Sequence, residues 1–455
     1  MRLFRQPLSL LPSALLALGL LVAESSPTCA QIVLAPGMGG PRGGLTVPPA
    51  GVAVALGALG SGEFSAGLGI ASQEYRGGLK MGTQRWIDSI ATAMAVGECQ
   101  YELGNFREAV AAYDEALLLS AGHADWLLSV QFPAQGPQAM ATGRVATWGR
   151  SARRSQPGAT ADTMSIRMGG SDPQKVLQQG GVLAAPVNYP VRPQEILRAL
   201  VISLYRRTEI LGPLAAEGTA ITEATQALAR RAAPPNHYSQ SWLDIAFGTA
   251  LWSQGKLEQA VPLLERGLVM GNQLDHALTS WGLIVLGRIA LERDDAKAAA
   301  ALFEEATYTA ADYGDSRALE EAFRLAFIAH RVAGSPGVPA SIAGGARWAR
   351  SNLPVLGAAL MAREAEILAA SGNPAGATAV LGDIDGRVLR GEASRGRCGA
   401  EGAYAAAMSG LAAGDTATGS SELERALAIA RQHSPRLFQT NRLVEMVLAG
   451  SNAIT

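Results

Sequence analysis

Three cysteines in 455 residues are too few for a disulfide framework. Cys29 falls in a leader-like stretch, while Cys99 and Cys398 stand far apart in helical patterns, so two separate buried thiols are expected. Aromatic residues make up only 5% of the chain, which leaves the core to small aliphatic side chains. Neither sign of charge prevails: the formal net charge of −1 gives no general pull towards nucleic acid or acidic lipid, and no nucleic-acid partner is expected. The histidines, His123, His237, His276, His330 and His433, stand singly, with no His-Glu-x-x-His and no metal-ligand spacing. A Gly-x-Ser-x-Gly elbow and a Gly-Lys-Ser/Thr phosphate loop are both missing. The carboxylates Glu304, Glu305, Glu320 and Glu321 read as solvated outer faces of helices. No catalytic residue, metal or cofactor is expected, and the chain reads as a non-enzyme.

Long hydrophobic runs are scarce as well. The one of note is residues 8–23, preceded by Arg2 and Arg5 and followed by small and polar residues ending at Ala30. A membrane crossing needs roughly 20 apolar residues, so this shorter run, broken by Pro12, reads as an export signal over 1–30. Cleavage after Ala30 is the expectation, with an uncleaved anchor as the alternative. No other transmembrane span is expected. The destination is the periplasm or cell envelope, or the medium.

What the chain has in plenty is alanine and glycine. Residues 31–83 are rich in glycine and proline, and glycine carries a large ordering entropy while adding nothing to a core. A flexible linker is expected there. From 84 to 131 a helical hairpin follows, with Gly97, the turn Gly104-Asn105, then Ala109, Tyr113 and Ala116. Residues 132–193 carry scattered turn signals and an excess of arginine, including Arg144, Arg150, Arg153 and Arg154. They read as a largely irregular basic insert, either a solvated excursion or an arm that holds an anionic partner or wraps the scaffold.

Across 194–455 a regular beat appears. Gly248, Gly287, Ala326 and Ala365 are small residues at intervals of 39, and Ala407 follows. Downstream of them stand the small residues Ala260, Ala299, Ala377 and Gly419, each followed four positions on by bulky Leu264, Phe303, Leu381 or Leu423; Ala306 lies three beyond Phe303. The unit around Ala326 is degenerate, with an enlarged turn at Gly334-Ser-Pro336-Gly-Val-Pro339. A recurring two-helix unit is the mark of a stacked array. A last helix after Ser434-Pro435 is expected to close the stack.

The hairpin and the recurring small residues resemble the tetratricopeptide repeat. That resemblance implies an all-α fold: a solenoid of tetratricopeptide-like antiparallel helix pairs, with the linker and the basic insert as its irregular parts. It implies a groove lined by the first helix of each pair, here Trp242, Thr249, Trp252, Trp281, Arg288, Glu292, Arg363, Glu366 and Tyr404. The expected role is a non-catalytic scaffold or adaptor that binds a protein or peptide. The alternatives are a self-associating structural component and, further off, an envelope polymer hydrolase.

Overall fold

A computed structural model describes residues 45–433, apart from 82, 142, 162, 169–186 and 272. The expected export signal over 1–30, residues 31–44 and the closing helix expected after 434 lie outside the described residues. The chain is mostly helical. It begins with α1 (Gly51–Ser61) and α2 (Phe64–Gly77), a short hairpin of β1 (Lys80–Met81) and β2 (Gln84–Arg85), then α3 (Asp88–Glu102) and α4 (Phe106–Gly122). After a 3-10 turn at Trp126–Ser129 come β3 (Val130–Gln131), β4 (Gln138–Ala139), β5 (Gln156–Ala159), β6 (Met164–Met168) and β7 (Val187–Val191). The helices resume with α5 (Pro193–Leu211), α6 (Thr219–Ala229), α7 (Ser239–Ser253) and α8 (Leu257–Gly267), and β8 (Leu274–Asp275) precedes α9 (Thr279–Glu292). Then follow α10 (Ala296–Asp312), α11 (Ser316–Val332), α12 (Ala340–Asn352), α13 (Pro354–Ala370), α14 (Pro374–Gly382), α15 (Gly386–Arg390), α16 (Arg397–Ala412) and α17 (Thr416–His433).

The turns share one chemistry. A left-handed residue ends the helix, as Gly104, Gly314, Gly372 and Gly414 do, and Asp294 takes the same conformation without being glycine. The next amide then reaches back to a carbonyl of the last turn, Asn105 to Gln100 and Asn373 to Leu368, each at 2.9 Å. That next residue also caps the following helix: Asp295, Asp315 and Asn373 accept the amide protons of Ala298, Ala318 and Gly376. Consecutive helices therefore fold back and pack on each other, α3 on α4, α7 on α8, α9 on α10 and α16 on α17. First helices of successive pairs also touch, α7 with α9 and α9 with α11.

The recurring small residues sit where the helices cross. A Cβ on Gly97 would stand 2.4 Å from the Tyr113 ring, one on Gly248 2.7 Å from Leu264, and one on Gly287 2.4 Å from the Phe303 ring. Each glycine thus receives the bulky side chain from the second helix of its own pair. Ala109, Ala116, Ala260, Ala299, Ala306, Ala365 and Ala377 are all buried. In the degenerate unit the roles exchange: Phe323 on α11 is the bulky partner, and Gly345 on α12 makes room, at 2.5 Å. Overpacking of a close crossing typically costs about 1–3 kcal/mol, so Gly287→Ala is expected to lower the unfolding free energy by an amount in that range, seen as a lower urea midpoint. An unchanged midpoint would show that Phe303 can step aside.

Two expectations are corrected. From Leu45 onward the glycine-rich stretch is folded, because Val52, Ala55, Leu59, Phe64 and Ala71 on α1 and α2 enter the main core. Gly67 serves contact: a Cβ there would lie 3.1 Å from the Ala55 carbonyl. Val47 ties this segment to β7 by exchanging hydrogen bonds with Pro190 and Arg192 at 2.8 and 2.7 Å. Helix α1 also packs on α13, and the Ser65 amide and hydroxyl donate to Glu392 at 2.9 and 2.5 Å. The N-terminal helices therefore join the C-terminal half directly.

The described part of the basic insert is ordered against the helices. Strands β3, β6 and β7 form one sheet and β4, β5 and β8 another, with β5 parallel to β8. Arg144 bridges Asp275 and Asp312 at 2.9 and 2.7 Å, and Arg153 pairs with Asp275 at 2.9 Å. Arg150 and Arg154 are exposed. Trp148 is buried against Phe323 and Trp348, and its Nε1 donates to Thr307 at 2.9 Å. Arg144 and Arg153 hold the insert to the chain's own carboxylates, which agrees with an arm wrapping the scaffold and not with a solvated excursion.

Candidate functional site

The groove positions lie inside the molecule rather than along an open face. Trp242, Thr249 and Trp252 on α7, Trp281 on α9, Arg363 and Glu366 on α13, and Tyr404 on α16 are all buried. Arg288 is half-buried, and Glu292 alone of the nine is exposed. The space beside α7 and α9 is filled by α5, which contacts α3, α4, α7 and α9. Tyr205 on α5 stacks on Trp252 with ring centres 5.6 Å apart and leans on Trp281 at 5.3 Å. The Trp281 Nε1–H donates to Asp315, and that of Trp252 to Glu292. A fully buried tryptophan rarely leaves its N–H unpaired, and Trp281 obeys that rule.

Beside Tyr205 runs a buried network of charge. Arg206, with no exposed surface, donates to Glu98 at 3.2 Å, to Glu209 at 2.6 Å and to Glu321 at 3.0 Å, and stands 4.7 Å above the Tyr101 ring. Arg317 bonds Glu102 and Glu320, Arg324 bonds Glu209 and Glu321, and Arg397 bonds Glu320. Tyr113 and Tyr205 donate their hydroxyls to Glu98 and Glu321. Helices α3, α5, α11 and α16 are joined through these contacts, so the network links the α3–α4 pair to the last described pair.

Burial works against every charge here, and the partners decide the outcome. Arg317 and Arg397 outweigh burial at Glu320 and hold its carboxyl at about 2. Arg324 and Arg206 do the same for Glu321, well below the ordinary range. At Glu102 burial wins, aided by the charge on Glu320, and its carboxyl is raised. Four guanidinium groups, those of Arg206, Arg317, Arg324 and Arg397, thus stand among the five carboxyl groups of Glu98, Glu102, Glu209, Glu320 and Glu321. The expectation that Glu320 and Glu321 lie on solvated faces is thus overturned. Spacing held the clue: Arg206 with Glu209, Arg317 with Glu320 and Glu321 with Arg324 are i,i+3 pairs, the latter two interleaved with Leu319 and Phe323 on a core-facing helix.

Glu366 has a poorer environment. Burial, the largest influence, pushes its carboxyl from 4.5 up to about 7; Arg331 at 3.5 Å opposes this, and nearby Glu401 adds to it. A folded-state pKa above the unfolded one means stability that is complete below pH 4.5, falls as pH rises towards 7, and stays low above it. The penalty is roughly 3 kcal/mol at 1.36 kcal/mol per unit. Glu366→Gln is therefore expected to raise stability above pH 7 and to lose that advantage near pH 4.5. Melting curves across that interval test it, and a gain independent of pH would refute the ionisation argument.

One serine–imidazole–carboxylate sequence occurs at the enlarged turn after α11. Ser335 Oγ lies 3.3 Å from His330 Nδ1, and His330 Nε2 lies 3.0 Å from Glu304 Oε1, which also accepts from Ser341 at 2.7 Å. These bonds from His330 and Ser341 hold the Glu304 carboxyl below its usual range. The setting is that of a helix end. Gly334 is left-handed, the Ser335 amide donates to the His330 carbonyl at 3.0 Å, and Ser335 is exposed. Glu305 is likewise engaged, accepting from Ser151 and Ala152 of the insert. Cys99 and Cys398 are unbridged, with thiols pushed by burial up to about 12. Among the described residues no cluster of His, Cys, Asp and Glu is arranged to hold a metal, and no helix is long and apolar enough to cross a membrane.

A cleft of about 380 Å³ opens elsewhere, where the ends of α4 and α6 meet the 3-10 turn and β6. Its walls carry Trp86, His123, Asp125, Trp126, Arg167 and Arg230, and the lining is more polar than apolar. His123 is anchored through Nε2 to the Arg85 carbonyl at 2.8 Å. The cleft leaves no motif in the sequence, because its residues come from separate elements, β1, α4, the 3-10 turn, β6 and the end of α6. No family model matches the chain, and no curated protein matches it.

Proposed function

We propose that this protein is an exported, non-catalytic scaffold of stacked tetratricopeptide-like helix pairs, acting in the cell envelope or outside the cell by holding a protein partner. The carrying observation is the repeated crossing of Gly97, Gly248 and Gly287 against Tyr113, Leu264 and Phe303. Crossings of this kind let each pair bury its apolar flank against the next. Because the first-helix positions are taken up by the protein's own α5 and its charge network, the partner meets an outer surface. The cleft between α4, α6 and β6 is the concave, polar place for it.

Immobilised full-length protein, exposed to an envelope fraction and followed by mass spectrometry, tests this reading. A protein retained in fixed proportion to the bait is the expected result. Turnover of a cell-wall or glycan polymer by the purified protein would overturn the non-catalytic reading. A concentration-dependent rise in its own mass, without a foreign partner, would favour self-association.

A further inference from the structure

We infer that the cleft between α4, α6 and β6 takes an extended, carboxylate-bearing segment of the protein partner. The inference rests on the scaffold reading and adds the chemistry of the segment. Arg167 on β6 and Arg230 at the end of α6 stand on different elements, both exposed and both lining the cleft. Neither has a carboxylate within ion-pair distance among the described residues, whereas Arg206, Arg317, Arg324 and Arg397 in the interior are all paired. Asp125 is the one carboxylate in the lining, so two guanidinium groups face a single negative charge.

Helix ends oppose an anion here, and their effect is partly spent. The His123 amide donates to the carbonyls of Leu119 and Ser120 at the end of α4, and the Arg230 and Arg231 amides cap those of Ala227 and Leu228 at the end of α6. These bonds satisfy carbonyls that otherwise carry the negative pole of the helix. Exposed guanidinium groups, with their planar fork of donors, match a carboxylate well.

The open strand edge selects a peptide over a small anion. Among the described residues β3 pairs with β6 only at Val130↔Ile166 and Gln131↔Ser165, because the chain enters β3 directly from the 3-10 turn. Among the described residues Arg167 and Met168 have no ladder partner on the β3 side of β6, and Arg167 lines the cleft. An extended segment can pair with a free strand edge through its backbone while its side chains reach the pockets beside it. Acidic side chains on such a segment meet Arg167 and Arg230.

The test is the affinity of the full chain for a labelled, glutamate-rich peptide, read by fluorescence anisotropy. Controls are the same peptide with glutamine for glutamate and, as competitor, inorganic phosphate. Expected results are binding that weakens with added salt, an affinity lower by about tenfold or more for Arg167→Ala/Arg230→Ala, and no binding of the glutamine peptide. The double variant should keep its circular dichroism and melting temperature, as both side chains are exposed. Equal affinity in wild type and variant, equal affinity for the two peptides, or displacement by phosphate at peptide-like concentration overturns the inference. Capture of the same partner by wild type and double variant would sink the acidic-segment inference and leave the scaffold reading standing.

Discussion

Replacing Arg206 with alanine is expected to cost about 3–5 kcal/mol of folding stability. The side chain is wholly buried and bonds Glu98, Glu209 and Glu321, three carboxylates from three helices. Removing it strands negative charge where water does not reach, and that penalty far exceeds the modest net worth of the intact pair. Arg206→Lys keeps the charge and loses the planar fork, so it too is expected to destabilise, though less. Arg293→Ala serves as a control, because its ion pair with Glu258, at 2.7 Å, is exposed on both sides. An exposed pair of that kind contributes about 0–1 kcal/mol. Urea unfolding followed by circular dichroism reads all three. A loss below about 1 kcal/mol for Arg206→Ala would mean that the carboxylates find water or protons at little cost.

The same network marks the boundary of what the sequence made legible. Helices, their turns and their crossings were readable because each depends on local chemistry: a left-handed residue, an Asp or Asn cap, a glycine opposite a bulky side chain. The beat of Gly248 and Gly287 is the clearest case, since both make the contact that their spacing suggested. Arg317 and Glu320 carried only their i,i+3 spacing as a local sign, which does not fix their burial. Charged residues on a helix usually mark its wet face, and nothing local says that Arg397, far along the chain, will return to Glu320. The groove failed for a related reason. Trp242, Trp252 and Trp281 are correctly phased on first helices, but whether such a row faces a ligand or another helix depends on how far the chain winds. Here Tyr205 occupies the place of a ligand. Composition misled at the glycine-rich start, where Gly67 serves close packing of α1 and α2. The cleft with Arg167 and Arg230 escaped notice because tertiary structure alone assembles it.

The insert carries the second large effect. Trp148→Ala is expected to destabilise the whole protein by about 3–5 kcal/mol, as large aromatic truncations in cores do. Reading residues 132–193 as a solvated excursion would predict almost nothing, because surface substitutions usually stay within about 0.5 kcal/mol. The contacts decide between these outcomes. Trp148 is 5% exposed, lies 5.3 Å from the Phe323 ring and 5.2 Å from Trp348, and gives its N–H to Thr307. Those partners belong to α11, α12 and α10, so one side chain from the insert is shared by three helices. Gly344 on α12 leaves room for its backbone, with a Cβ there falling 2.7 Å from that of Trp148. Arg144 and Arg153 hold the flanks to Asp275 and Asp312. Loss of the indole therefore opens a cavity at a three-helix junction and leaves the Thr307 hydroxyl without this partner. Global unfolding in urea should shift to a lower midpoint with an unchanged slope, the sign of lost stability in an intact cooperative unit. Arg150→Ala, at an exposed position in the same insert, should leave the midpoint where it was. If Trp148→Ala instead speeds proteolysis within the insert while the helices melt as before, the insert is an attached arm and not part of the folded core.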